Sequence, residues 1–157
     1  MKVVGALSFI WDSNSIVHET KINLYLMIPV NLTLWNGETW LGNKTDLALL
    51  DAFHHKTIRR ILHISMANVT KLRLKNKIIR SKFGNIKKLS DLWRSHLLKY
   101  VSWSTHQNEI SIPKQILSAH VSGKRICGQP FWTIKDTTIE SIRLMIPSTL
   151  HNGNYSY

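Results

Sequence analysis

Between Asp46 and His63 the apolar positions recur at helical spacing, not in alternation. With Leu47 at zero and about 100° per residue, Leu50, His54, Ile58, Ile61 and Leu62 fall within about 60° of it. His55, Lys56 and Arg59 point away from that stripe. The pattern predicts an amphipathic helix over Asp46–His63 with Thr45 as its N-cap. If Arg60 lies beside Phe53 at the edge of the core, its stem can pack there and its replacement should cost stability.

Around that helix the same reading predicts a first helix over Thr20–Val30, interrupted near Pro29, and a turn in WNGETW at Asn36-Gly37. A helix over Thr70–Phe83 follows, with apolar stripes at Leu72, Ile79, Phe83 and at Leu74, Ile78, ended by Gly84-Asn85. Ser90 caps a helix to Trp103 with Trp93, Leu97 and Tyr100 on one face, and Trp103 is open to either core packing or base stacking. Short helices over Pro113–His120 and Thr137–Met145 flank the turn GKRICGQP. Strand-like alternation is scarce, so the chain reads as all-α, an irregular bundle of about five to six helices with a loop-rich C-terminal third. The expected division is a helical region over 1–110, a loop and helix segment over 111–150 and a disordered tail over 151–157.

Charge sharpens this picture. The 157 residues carry a formal charge of +12, unevenly spread. Lys56 to Lys99 holds thirteen Lys or Arg against one acid, Asp91, whereas the remaining 113 residues balance eight against eight. Ordinary solvated faces mix signs, so a nearly acid-free basic segment points to a polyanion, with nucleic acid the first candidate. Cys127 is the only cysteine, which rules out an intrachain disulfide and a CxxC zinc site and fits a reducing compartment. Residues 3–11 are apolar but lack a following small-x-small cleavage site. Residues 22–35 are interrupted by Asn23, Pro29 and Asn31 and are too short to span a bilayer. The expectation is an intracellular protein, nuclear or cytoplasmic, that is neither secreted nor membrane-bound.

GALSFIW, TKINLYLMIPVNLTLWNGETW, LLDAFHHKTIRRILHIS, IPKQIL and GKRICGQP occur in this order. The arrangement resembles the C-terminal, post-palm region of reverse transcriptases encoded by non-LTR retrotransposons. WNGETW and AFHHKTIRRIL are its most specific parts, and it extends from about Gly5 to Leu150. The resemblance implies a helical thumb and the segment after it, which hold the template–primer duplex beside a catalytic palm. The chain departs from the family at Asn36, where glycine is common, at Ser102-Trp103, where many members have Gly-His, and at Gln129, where an arginine precedes the proline. These departures suggest a drifted copy.

Polymerase chemistry needs carboxylates converging on paired Mg²⁺ ions. In the family these come largely from a Tyr-x-Asp-Asp turn, which is absent here. The nine acids are scattered, and Asp46 and Asp51 suit the N-terminal half of their helix. No catalytic role is therefore assigned. The chain reads as a non-catalytic fragment with no cofactor, no metal and no small-molecule substrate. His54, His55 and His63 read as core or surface residues, not zinc ligands.

The candidate nucleic-acid-binding residues are Lys56, Arg59, Lys71, Arg73, Lys75, Lys77, Arg80 and Lys82, with Lys124 and Arg125 between the glycines of GKRICGQP. Cations at this density neutralise phosphates without reading bases, as a thumb must. A reverse transcriptase palm domain is a further expected partner. Its absence would leave apolar surface exposed around Trp35, Trp40 and the Ile22–Leu34 segment. Two other readings stay open: a structural remnant with no binding of its own, and a basic membrane-surface protein.

Overall fold

The computed structural model describes residues 2–40, 42–118 and 133–145, which form helices joined by turns with no strand among them. The all-α expectation holds. The chain divides into two compact units, Met1–Gly37 with Lys44–Trp93, and Glu38–Asn43 with Arg94–Tyr157. No helix among the described residues is long and apolar enough to cross a membrane.

The first unit opens with α1 (Lys2–Ala6) and α2 (Ser8–Asp12), formed by the apolar residues that precede Asp12. Val4 and Trp11 are buried, and the Trp11 indole N–H donates to the Val4 carbonyl at 3.0 Å. The Trp11 carbonyl, at the C-terminal end of α2, accepts from Lys21 Nζ at 2.8 Å and lies 3.2 Å from His63 Nε2. The Lys21 ammonium at this end complements the partial negative charge of the unpaired carbonyls.

Helix α3 (His18–Tyr25) does not stop at the proline. It passes through a π-helical turn, Leu26–Val30, that contains Pro29, and continues as the single turn α4 (Asn31–Thr33). Widening the turn relieves the clash between the proline ring and the carbonyl four residues back, and the chain keeps its direction. The Thr33 hydroxyl takes up the Pro29 carbonyl at 2.6 Å. Tyr25, Pro29, Val30 and Leu34 are buried on one side of this segment. Met27, Leu32 and Trp35 stay outside, 67%, 55% and 78% exposed, as expected for this stretch. Asn36 takes a positive φ of 55° and turns the chain, a conformation Asn tolerates better than most residues.

Helix α5 (Lys44–Ile61) is the central element, with α2 and α7 packed on it. It starts before Thr45, so Thr45 sits in its first turn, and it ends two residues before His63. Ile58, Ile61 and His54 are buried as the periodicity predicts. His55 is buried as well, contrary to its expected outward position, because α7 covers that side. Arg60 is exposed and Arg59 half-buried.

The single helix expected over Thr70–Phe83 is two, α6 (Met66–Lys71) and α7 (Asn76–Lys82). The break is a Schellman turn: Arg73 N–H donates to the Thr70 carbonyl at 3.3 Å, Leu74 N–H to the Val69 carbonyl at 3.0 Å, and Arg73 has a φ of 46°. The same device closes α5. His63, with a φ of 54°, donates to the Arg60 carbonyl, and Ile64 donates to that of Arg59. Ser65 then caps α6 by accepting the Asn68 amide at 3.2 Å. Gly84 and Asn85, both at positive φ, end α7 as predicted. Ile79, Phe83, Leu89 and Trp93 complete the buried set of this unit.

Helix α8 (Leu89–Thr105) takes in Ser90, which is therefore not its cap. The Ser90 amide and hydroxyl both donate to the Asp51 carboxylate, at 2.9 and 2.8 Å. In the second unit Leu97 and Ser104 are buried, while Trp103 is half exposed and its ring centroid lies 5.9 Å from that of Tyr100. Helix α9 spans Ile112–Ser118 and α10 spans Ile134–Met145. Thr133 and Asp136 cap α10 reciprocally: the Thr133 hydroxyl and amide donate to the Asp136 carboxylate at 2.6 and 2.9 Å, and Asp136 N–H returns to the hydroxyl at 3.2 Å. The turn GKRICGQP and the tail expected over 151–157 lie outside the described residues.

Candidate nucleic-acid interface

Helix α7 is short, and its inward side is fixed by Ile79 and Phe83, both fully buried. At helical spacing Lys77 then projects on the opposite side and Lys82 on the flank, and both are exposed. Lys71 ends α6, and Arg73 and Lys75 stand at the elbow between the two helices. All three are exposed. No acid occurs between Asp51 and Asp91. None of Lys71, Arg73, Lys75, Lys77 and Lys82 is paired with another described residue. The structure therefore gathers five of the expected cations on α6, the elbow and α7, facing solvent. Lys56 on α5 is also exposed.

Arg59 and Arg80 are placed differently. Both are half-buried, and Arg80 Nη1 donates to His55 Nε2 at 2.8 Å across the α5–α7 seam. Arg80 thus holds the two helices together and does not stand free with the lysines. Lys124 and Arg125 lie outside the described residues.

Beneath the basic surface runs a polar chain that the sequence did not reveal. Tyr25 Oη lies 2.7 Å from His54 Nδ1, and His54 Nε2 lies 3.1 Å from the Lys87 carbonyl. A carbonyl only accepts, so Nε2 carries the hydrogen, and the neutral ring accepts from the tyrosine hydroxyl at Nδ1. His54 is wholly buried; burial, with the charge of neighbouring His55 second, holds its pKa down at about 4. Burial also raises the Tyr25 hydroxyl well above its ordinary value. His55 is lowered too, by burial first and then by Arg80. The histidine spacing was visible in the sequence, but nothing there signalled Tyr25 or Arg80 as partners.

The three histidines His54, His55 and His63 meet separate partners. His54 meets Tyr25, His55 meets Arg80, and His63 lies 4.0 Å from Asp12. Among the described residues no group of three His, Cys, Asp or Glu could hold a metal ion. Trp93 is buried, with its indole N–H on the Gly37 carbonyl, so it packs and does not stack bases. Trp103 lines a shallow hollow of the second unit with Leu98, Lys99, His106 and Met145. Comparison with family models, with curated proteins and with solved structures finds no match to this chain.

Proposed function

We propose that the chain is a non-catalytic nucleic-acid-binding module that grips duplex backbone through α6, the elbow and α7, without reading sequence. The observation that carries this reading is the unpaired cation set Lys71, Arg73, Lys75, Lys77 and Lys82, exposed together in a segment that holds no acid. Phosphate oxygens are the natural complement to such a set, and contacts of this kind position a duplex without specifying it. The resemblance adds a context, the thumb-side C-terminal portion of an RNA-directed DNA polymerase, in which sequence-independent grip is what the part must supply.

Arg73 supports the reading independently. It occupies a left-handed position where glycine would be unstrained, and an arginine there costs about 1 kcal/mol of stability. Strain of this kind tends to collect where function demands a side chain.

The test is a salt titration of binding to B-form DNA and to an RNA–DNA hybrid. If four to six cations reach phosphates, the log–log slope on DNA is roughly −4 to −5 and changes little between sequences. The double substitution Lys77→Ala, Lys82→Ala should weaken binding evenly and lower the slope by up to about 2. A salt-independent affinity, or one untouched by that pair, removes the physical basis of the proposal.

One observation favours a second reading. Met27, Leu32 and Trp35 each leave a large apolar side chain in solvent, as expected of a part whose packing partner is elsewhere. A structural remnant would show that surface and no steep salt dependence.

A further inference from the structure

The α5–α7 seam contains a titratable ring whose hydrogen bond admits only one protonation state. Arg80 Nη1 stands 2.8 Å from His55 Nε2. A guanidinium has donors and no acceptor, so His55 Nε2 must carry a lone pair and the ring must be neutral. The rest of the seam fits that state. His54 lies beside His55 with ring centroids 5.8 Å apart, and is itself held neutral between Tyr25 and the Lys87 carbonyl.

We propose that His55 and Arg80 form an acid-sensitive latch that holds α7, with its outward lysines, against α5. A proton on His55 Nε2 would turn the hydrogen bond into two donors and two positive charges facing each other. The groups around the ring give little relief. From α7 comes Arg80, and from α5 come Arg59, also positive, and Asp51. The Asp51 carboxylate already accepts two hydrogen bonds from Ser90. From α3 comes the neutral hydroxyl of Tyr25, on the far side of His54, while His18 lies against the ring of Phe83.

The strain is relieved by parting the seam, and α7 is the element that gives way. It has seven residues, too few to be helical without tertiary support, and it is held otherwise by Ile79 and Phe83. Helix α5 has eighteen residues and packs on α2 as well. Acidification should therefore loosen α7 before the rest of the chain. The latch rests on this seam alone and does not depend on what the lysines bind.

Amide hydrogen exchange on the full chain tests it, with protection corrected for the intrinsic effect of pH. Between about pH 7.5 and about pH 5, protection at Ile79 and Phe83 should fall further than that of amides in the middle of α8, which carry only the loss common to the whole fold. In His55→Gln the side-chain oxygen still accepts from Arg80 but does not titrate, so the local fall should vanish. Unchanged protection in the wild type, a fall in step with α8, or the same fall in His55→Gln would each overturn the latch. Side-chain ¹⁵N NMR of the wild-type protein gives a variant-free check. Nε2 of His55 should be unprotonated at neutral pH, with a titration midpoint below the ordinary value of about 6.5. A hydrogen on Nε2, or a midpoint at or above that value, overturns it equally.

Discussion

Helix α5 and the α6–α7 pair carry similar residues to opposite ends. On α5 the inward polar groups all find partners: His54 with Tyr25 and the Lys87 carbonyl, His55 with Arg80, Asp51 with Ser90. On α6, the elbow and α7 the charged groups other than Arg80 are exposed and unpaired among the described residues, and large apolar side chains such as Met66, Leu72 and Ile78 are exposed there too. A polar group buried with a partner contributes to stability mainly because losing the partner is expensive, whereas an exposed cation contributes almost nothing to folding. Charge and protonation changes on the two regions should therefore separate cleanly, one set altering stability and the other binding.

The largest expected effect is on α5 and comes from pH. His54 is neutral in the native chain with a pKa of about 4, against 6.5 for the ordinary imidazole. Below about pH 6.5 the unfolded chain takes up a proton that the native chain refuses, so stability present above that pH is lost as pH falls toward about 4. The depression corresponds to about 3 kcal/mol from His54 alone, with a smaller loss in the same direction from His55. Denaturant melts at about pH 7.5 and about pH 5 should show the midpoint dropping. His54→Gln, which does not titrate, should lower stability at neutral pH but flatten the dependence. A pH-independent midpoint between those values would mean that the histidines are not held neutral.

A smaller loss should follow from Tyr25→Phe. The ring contacts with His54 and Phe83 remain, but His54 Nδ1 is left as a buried acceptor without its donor, at about 1–2 kcal/mol. The variant should melt earlier with an unchanged salt slope for DNA. By contrast, Lys77→Ala with Lys82→Ala should change stability by less than about 0.5 kcal/mol, since neither side chain is buried or paired. If that pair of substitutions unfolds the chain, the division between holding and binding regions fails.

The two regions were also legible to different degrees, for physical reasons. The buried stripe of α5 follows from the spacing of Ile58 and Ile61 with His54, because a period of about 3.6 residues is a property of the sequence itself. The polar chain is not local: Tyr25 is 29 residues from His54, and Arg80 is 25 from His55, so no spacing rule brings them together. On α6–α7 the basic character was plain from composition, but the break was not. Helix ends of this geometry are marked by glycine or asparagine at the left-handed position, and here that position holds Arg73, as it holds His63 after α5. The end of α7, where Gly84 and Asn85 do stand, was read correctly. The cap of α10, Thr133 with Asp136, is present in the sequence as a Thr-x-x-Asp string four residues before the expected start at Thr137.

Arg73 is where the comparison becomes sharpest, because one residue there should act on stability and binding with opposite signs. Its backbone is in the left-handed region, at a φ of 46°, and its side chain is exposed at the elbow without a partner among the described residues. Replacement by glycine removes the steric penalty at that φ while leaving both hydrogen bonds of the Schellman turn, which are made by backbone atoms. Arg73→Gly should therefore stabilise the chain, by up to about 1 kcal/mol, even though glycine also frees the unfolded state and returns part of the gain. The same change deletes one cation from the exposed set, so affinity for duplex should fall and the salt slope should shrink by about 1. Arg73→Lys separates the two effects: the strain stays, the charge stays, and both quantities should remain close to those of the parent chain. A glycine variant that is more stable and binds equally well would mean that the elbow merely tolerates its arginine. A variant that is less stable would mean that the arginine side chain braces the elbow, and that α6 and α7, like α5, are held in part by their polar residues.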